Sequence, residues 1–206
     1  AINQLAAVQG ADLKVMALDL DTPTADFTIA PAMTEAACAA AFSAGFDAVD
    51  EKFDALIVGE MGIGNTTTAA ALSCALFGGK AADWTGPGTG LDAAGIALKT
   101  RAVLAARHRG IPVLLDGFVT TAAVAVLEKA APGALDHCIA GHVSGEPGHR
   151  RLLAALGKEP LLDIGMRLGE ASGAAVALGI LKCALAAHNG MATFDEAAVS
   201  GQVSPG

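Results

Sequence analysis

The sequence predicts an α/β fold: a Rossmann-like, three-layer arrangement of a parallel sheet with helices on both faces, plus a small helical part from the chain ends. Three observations predict it. The short apolar runs "DALIVGE" (Asp54–Glu60) and "IPVLLDG" (Ile111–Gly117) have the length and uninterrupted hydrophobicity of strands covered on both faces. Ala-rich runs with helical spacing follow each of them, so strand and helix alternate. The composition, 53% hydrophobic and 17% charged with 25 Gly, suits close helix–strand packing and excludes a disordered chain.

The elements follow in order. "LKVMALDL" (Leu13–Leu20) is a β-rich run ending in acids. Thr34–Glu51 has helical spacing, with Thr34 as N-cap. "DALIVGE" is a strand and Asn65–Phe77 the helix after it, ended by "GGK". Leu91–His108 reads as a helix, "IPVLLDG" as a strand and "FVTTAAVAVLEKA" as the next helix. "DHCIAGHVS" (Asp136–Ser144) is a short strand entering a polar loop, and "EPGHRRLLAALG" starts a helix with Pro147 in its first turn. A long helix runs from about Met166 to His188, and the last residues form a peripheral tail. We expect one domain over residues 1–206, with 166–206 as its helical C-terminal part.

Charge and hydropathy narrow the function. A net charge of -8 excludes broad nucleic-acid binding, which needs a basic face, but leaves room for a local phosphate pocket. Mean hydropathy is +0.50, yet Lys182 interrupts the most apolar stretch, Ala171–His188, leaving it too short for a span of about 20 apolar residues. We expect a buried helix there, no membrane span and, from the polar start "AINQLAAVQG", no signal peptide. Cys38, Cys74, Cys138 and Cys183 form no CxxC pair, so each is expected as a small core residue in a reducing cytoplasm. No metal site is expected of them.

Three polar, Gly-rich segments, "GEMGIGNTT", "DGF" and "GHVSGEPGH", each fall just after a predicted strand. Ligands of open α/β sheets bind beyond the carboxyl ends of the strands, so these segments point to a pocket there. In the first, Gly62 and Gly64 allow close backbone approach, and Asn65 or Thr66 is placed to cap a helix whose free N–H groups suit a phosphate. The segment is neither a P-loop nor a GxGxxG fingerprint, and a plain strand–helix turn would also use these residues. Glu60 favours the functional reading, because a carboxylate ending a buried strand needs a partner or a ligand.

"GPGTGLDAAGIALK" adds a second Gly-rich loop with Thr89, and Lys99 as a cation or a solvated helical lysine. His142 and His149 in "GHVSGEPGH" do not form HExxH and read as hydrogen-bonded loop histidines or metal ligands. Glu170, in "GMRLGEASGAA", reads as an acid in the first turns of the long helix, serving its dipole or acting as a general base in a dry pocket. No GxSxG or Cys–His signature supports a nucleophilic triad. From the residues alone, the reading is a cytoplasmic α/β enzyme with an anionic small-molecule ligand.

Together "GEMGIGNTT", "GTGLD…K", "IPVLLDGF", "GHVSGEPGH" and "LLDIGMRLGEASGAA" resemble, in this order, the nicotinate-nucleotide–dimethylbenzimidazole phosphoribosyltransferase family of cobalamin lower-ligand assembly. The resemblance implies transfer of phosphoribosyl from nicotinate mononucleotide to 5,6-dimethylbenzimidazole, giving α-ribazole 5′-phosphate and nicotinate with inversion at the anomeric carbon. It implies Glu170 as catalytic base. It implies Glu60, Gly62, Asn65, Thr66, Asp116, Gly117, Ser144, Gly145 and Leu168 as substrate-binding, with Gly88, Thr89, Gly90 and Lys99 at the 5′-phosphate. It implies a homodimer, no cofactor and no metal. Alternatives are a non-catalytic nucleotide- or azole-binding protein, and a related transferase using adenine or a phenol.

Two departures from the family pattern stand out. An N-terminal part with an Asp-His-Gly segment and an early strand is not among these residues, and the helical stretch usual between the Lys99 helix and "IPVLLDG" is replaced by "RHRG". Pro87 stands where the family often carries a charged residue. The chain is thus expected to be shortened, or to skip segments that cover the acceptor base.

Overall fold

In the computed structural model, residues 1–86, 94–194 and 196–198 are described; for residues 94–99 only the backbone is. Gly88, Thr89 and Gly90 therefore lie outside the described residues, as does the Lys99 side chain.

The chain starts with α1 (Ile2–Gln9) and continues, without a strand, through the run Leu13–Leu20. Leu13, Val15 and Leu20 are exposed there, so the strand that their β propensity suggested does not form. α2 (Glu35–Asp47) begins where expected, with the Thr34 hydroxyl accepting from the Ala37 amide at 3.1 Å. Next come β1 (Leu56–Val58), α3 (Asn65–Phe77), a short 3-10 turn (Ala81–Asp83) and α4 (Ala94–His108). β2 (Val113–Leu115), α5 (Phe118–Ala130), β3 (Cys138–His142) and α6 (Pro147–Ala155) follow the predicted order. A strand the sequence pattern did not reveal, β4 (Pro160–Leu162), precedes α7 (Ser172–Gly190).

The strands form one parallel sheet in the order β1-β2-β3-β4. β2 is central and fully buried, whereas Leu56 and Ile57 of edge strand β1 are only half-buried, not buried on both faces as expected. Alternation along β2 divides the core. Val113 and Leu115 pack with Val103, Ala106 and Val124 of α4 and α5, while Leu114 points the other way onto Ala174 and Ala177 of α7. The sheet therefore lies between two helical layers, and α1 packs on α7 to join the chain ends. α2 packs on α4, where Arg101 lies over the Phe46 ring at 5.2 Å and Arg109 over the same ring at 4.7 Å.

α7 is long and apolar enough to cross a membrane by length and composition alone. Its first turns, Ser172 to Ala177, are instead built into the sheet's second layer, and only its C-terminal half is exposed. The expectation of a buried helix thus holds for its first part. Among the cysteines, Cys138 is buried, Cys38 and Cys74 are half-buried, and Cys183 is exposed on α7 rather than in the core. Burial pushes the Cys138 thiol up to about 12, so it stays a neutral apolar group.

Candidate active site

The carboxyl ends of the strands carry the segments singled out above. After β1 the chain passes through Gly59 and Glu60 into the turn that opens α3. The residue ahead of α3 is Gly64, in the left-handed region at φ 89°, and no side chain caps the helix. Asn65 is not the expected cap; it is the first helical residue, buried, and its Nδ2 donates to Glu60 Oε2. Gly62 is half-buried beside them, and the Thr66 hydroxyl is buried without a partner among the described residues.

Glu170 reaches the same place from the far end of the chain. It does not lie in the first turns of a helix. It precedes α7, with φ 57°, followed by Ala171 at φ 63°. Two non-glycine residues in succession in this region require fixed partners to hold them. The Glu170 amide donates to the Glu60 carbonyl at 3.0 Å. The Ala171 amide donates to Asp116 Oδ2 at 3.1 Å, and the Ala174 amide to Asp116 Oδ1 at 3.0 Å. Gly59 closes the arrangement: a Cβ there would sit 2.3 Å from the Ala171 Cβ, so only glycine lets the two backbones meet. The Glu170 side chain is 25% exposed, and the nitrogen of Ala1 lies 3.5 Å from its Oε2. The site of Glu170 is therefore partly open rather than the dry pocket anticipated.

Asp116, at the end of β2, is 2% exposed. Both of its oxygens are taken by the α7 amides, and His142 Nε2 at the end of β3 lies 3.4 Å from Oδ1. The structure thus puts Asp116 beneath the site, in the role of a backbone clamp. Gly173 leaves room for the His142 ring; a Cβ there would come within 2.0 Å of it.

Gly117 and Ser144 are neighbours, with the Ser144 Cβ 3.6 Å from where a Gly117 Cβ would stand. Ser144 and Gly145 line a pocket of about 260 Å³ with Glu146, Pro147, Arg150 and Asp163. Gly86, the last described residue before the second Gly-rich sequence segment, approaches Glu146 and Pro147 of this pocket so closely that a Cβ would meet Glu146 Oε2 at 2.6 Å. Neither Glu60 nor Glu170 lines the pocket. Leu168, between β4 and α7, is 58% exposed.

Two cations at this edge were missed in the sequence. Arg150 is paired with Asp163 at 2.8 Å, both exposed. Arg167 lies against Gly145, its Nη2 3.5 Å from the Gly145 carbonyl. Its position three residues before Glu170, in the same quoted motif, is the signal that was available. Among the described residues no His, Cys, Asp or Glu cluster is arranged to hold a metal ion. His149 is hydrogen-bonded, its Nδ1 accepting from the Ser144 amide at 2.9 Å, whereas the buried His142 Nδ1 has no hydrogen-bond partner among the described residues.

A family model described as phosphoribosyltransferase matches residues 1–109 and 96–199. A Rhodobacter capsulatus protein named nicotinate-nucleotide–dimethylbenzimidazole phosphoribosyltransferase is 52% identical over 231 residues, covering 97% of this chain and 69% of its own length. The protein of that name from Mesorhizobium japonicum is 54% identical over 233 residues, with the same coverage of 97% and 69%. The crystal structure of CobT from Thermus thermophilus superposes with a TM-score of 0.82 at 36% identity, covering 98% of this chain and 76% of that one. Since 97% of 206 residues is about 200, an alignment of 231 leaves roughly 30 positions of the first relative without a counterpart. The two stretches matched by the family model overlap on 96–109, at α4, where the sequence motifs had indicated a shortening. The motif order, the matched family model and the shared fold converge, and the chain belongs to the nicotinate-nucleotide–dimethylbenzimidazole phosphoribosyltransferase family.

Proposed function

We propose that the chain transfers the 5-phosphoribosyl group of nicotinate mononucleotide to 5,6-dimethylbenzimidazole. The observation that carries this reading is the convergence of Glu60, Asn65 and Glu170 on one strand edge, from segments more than 100 residues apart. One benzimidazole nitrogen attacks the anomeric carbon on the face opposite nicotinate. The carbon–nitrogen bond to nicotinate breaks, and its electron pair returns to the pyridinium nitrogen. That leaving group is cationic beforehand, so it needs no acid. The proton on the other benzimidazole nitrogen passes to the Glu170 carboxylate.

The remaining tasks are positioning. Glu60, Gly62, Asn65 and Thr66 hold the nucleoside part, with Asp116 and Gly117 as the floor. Ser144, Gly145 and the residues Gly88, Thr89 and Gly90 hold the 5′-phosphate, with Lys99 and Arg167 supplying positive charge. Leu168 borders the acceptor base. The scheme routes no step through a metal or cofactor. We place the chain in the cytoplasm, where its free thiols stay reduced. We treat it as a single unit, and as a homodimer using the exposed apolar residues Ile180 and Leu185 of α7.

A different acceptor base is the second reading, raised by the roughly 30 positions of the Rhodobacter capsulatus relative that have no counterpart here. One experiment tests both. Purified protein receives nicotinate mononucleotide with 5,6-dimethylbenzimidazole, adenine or phenol, and nicotinate release is followed by chromatography. Release dependent on the benzimidazole supports the first reading, and release with only another base the second. No release with any base, despite mononucleotide binding, overturns both in favour of a binding protein.

A further inference from the structure

His149 is buried completely on α6 and no step of the transfer uses it. Its Nδ1 accepts the Ser144 amide at 2.9 Å and lies 3.1 Å from the Ser144 hydroxyl. An amide can only donate, so Nδ1 carries a lone pair and the ring proton sits on Nε2. That nitrogen lies 3.1 Å from the Thr121 hydroxyl, which donates onward to the Gly117 carbonyl at 2.9 Å. Every group in this chain thus finds its complement. It runs from Ser144, at the exit of β3, through α6 and α5 to Gly117, at the exit of β2.

We propose that His149, as the neutral Nε2–H tautomer, is a positioning residue that sets the Ser144–Gly145 turn against Gly117 and so shapes the mononucleotide pocket. Ser144 and Gly145 line that pocket, and the Ser144 side chain lies beside Gly117. An imidazolium, or the opposite tautomer, would turn a proton toward the Ser144 amide and drive the turn away. The proposal rests on the reading of this pocket as the mononucleotide site; the state of the ring does not.

The test joins spectroscopy to kinetics. In nitrogen-15 spectra of the full chain, His149 should show an unprotonated Nδ1 and a protonated Nε2, unchanged down to pH 5. The opposite tautomer, or an imidazolium at pH 5, overturns the proposal whatever the enzyme's activity. His149→Asn keeps an acceptor near the Nδ1 position, and His149→Phe keeps the ring without one. The Phe variant should raise the KM or Kd for nicotinate mononucleotide at least about tenfold with a smaller change in kcat, and the Asn variant should recover most of it. Equal affinity in parent, Asn and Phe proteins would reduce His149 to a packing residue. Should the Phe variant not fold, Thr121→Val, which frees the other end of the chain, takes its place. It should weaken mononucleotide binding about threefold or more, and unaltered binding would overturn the proposal. A parent protein with the stated tautomer but no mononucleotide binding would refute the functional reading instead.

Discussion

The backbone amide of Glu170 donates to the backbone carbonyl of Glu60 at 3.0 Å. Two acids 110 positions apart are thereby held to each other through their main chains, leaving both carboxylates available for other contacts. The Glu60 carboxylate takes the Asn65 amide, and Glu170 keeps a partly exposed side chain at the strand edge. The pair is supported from below by Asp116, through the amides of Ala171 and Ala174.

Glu170→Gln should fold like the parent, because its anchoring bond is made by the backbone. We expect kcat to fall by at least about a hundredfold, the usual worth of a positioned general base, with KM for nicotinate mononucleotide changed less than about threefold. Steady-state kinetics with the benzimidazole as acceptor read both. A kcat within a few-fold of the parent would mean that the acceptor loses its proton without Glu170.

Gly59→Ala tests how close the two backbones must be. The new Cβ would stand 2.3 Å from the Ala171 Cβ and 2.4 Å from its nitrogen, so the α7 entrance must move. Overpacking of this kind costs about 1–3 kcal/mol, seen as a lower urea midpoint, and activity should fall further than stability because Glu170 moves with Ala171. Adding Ala171→Gly removes the Cβ clash but not the clash with the nitrogen, so it should restore only part of the loss. Parent-like stability of Gly59→Ala would show that the contact yields.

Asp116→Asn preserves the shape but not the acceptors. An amide side chain turns one NH2 toward an α7 amide that must also donate, leaving that pair unsatisfied in a buried place. The expected cost is about 1–3 kcal/mol in denaturant titration, with a fall in kcat exceeding any rise in KM. A Kd for the mononucleotide that rises while kcat holds would instead make Asp116 a direct ligand.

How much of this was legible beforehand depends on the range of the interactions. α2, α3, α5 and α6 follow from local spacing, helped by the Thr34 cap of α2 and by Pro147 in the first turn of α6, and β2 from its apolar run, because tertiary context agrees with local preference there. Leu13–Leu20 carries β-forming residues, yet no neighbouring strand pairs with it among the described residues. β4 is three residues long and begins with a proline, too short to show a period. The start of α7 was misplaced for a more telling reason. Gly165, Gly169, Glu170 and Ala171 all take positive φ, and the last two are kept there by Glu60 and Asp116, partners remote in sequence. Motifs drew attention to these residues one by one, but that Asp116 clamps backbone while Glu170 keeps a partly exposed side chain appears only in three dimensions.

His149 gives the last prediction, on stability against pH. Burial, and then the neighbouring His142, lower its pKa to about 3, with Arg150 acting in the same direction and Asp116 opposing. In the unfolded chain an ordinary histidine titrates near 6.5. Between those values the unfolded state binds a proton that the folded state refuses, so stability falls as pH falls, by up to about 1.4 kcal/mol per pH unit. Half-buried His137 shifts in the same direction and adds to the slope, so the parent alone cannot assign it. His149→Asn removes one titrating group and keeps an acceptor for Ser144. Between pH 6 and 5, above the range of most carboxylates, its urea-derived stability should decline less steeply than the parent's, by as much as the contribution of one proton. Parallel slopes for the two proteins would mean that the folded state accepts the proton at His149, and that the Ser144 amide has found another partner.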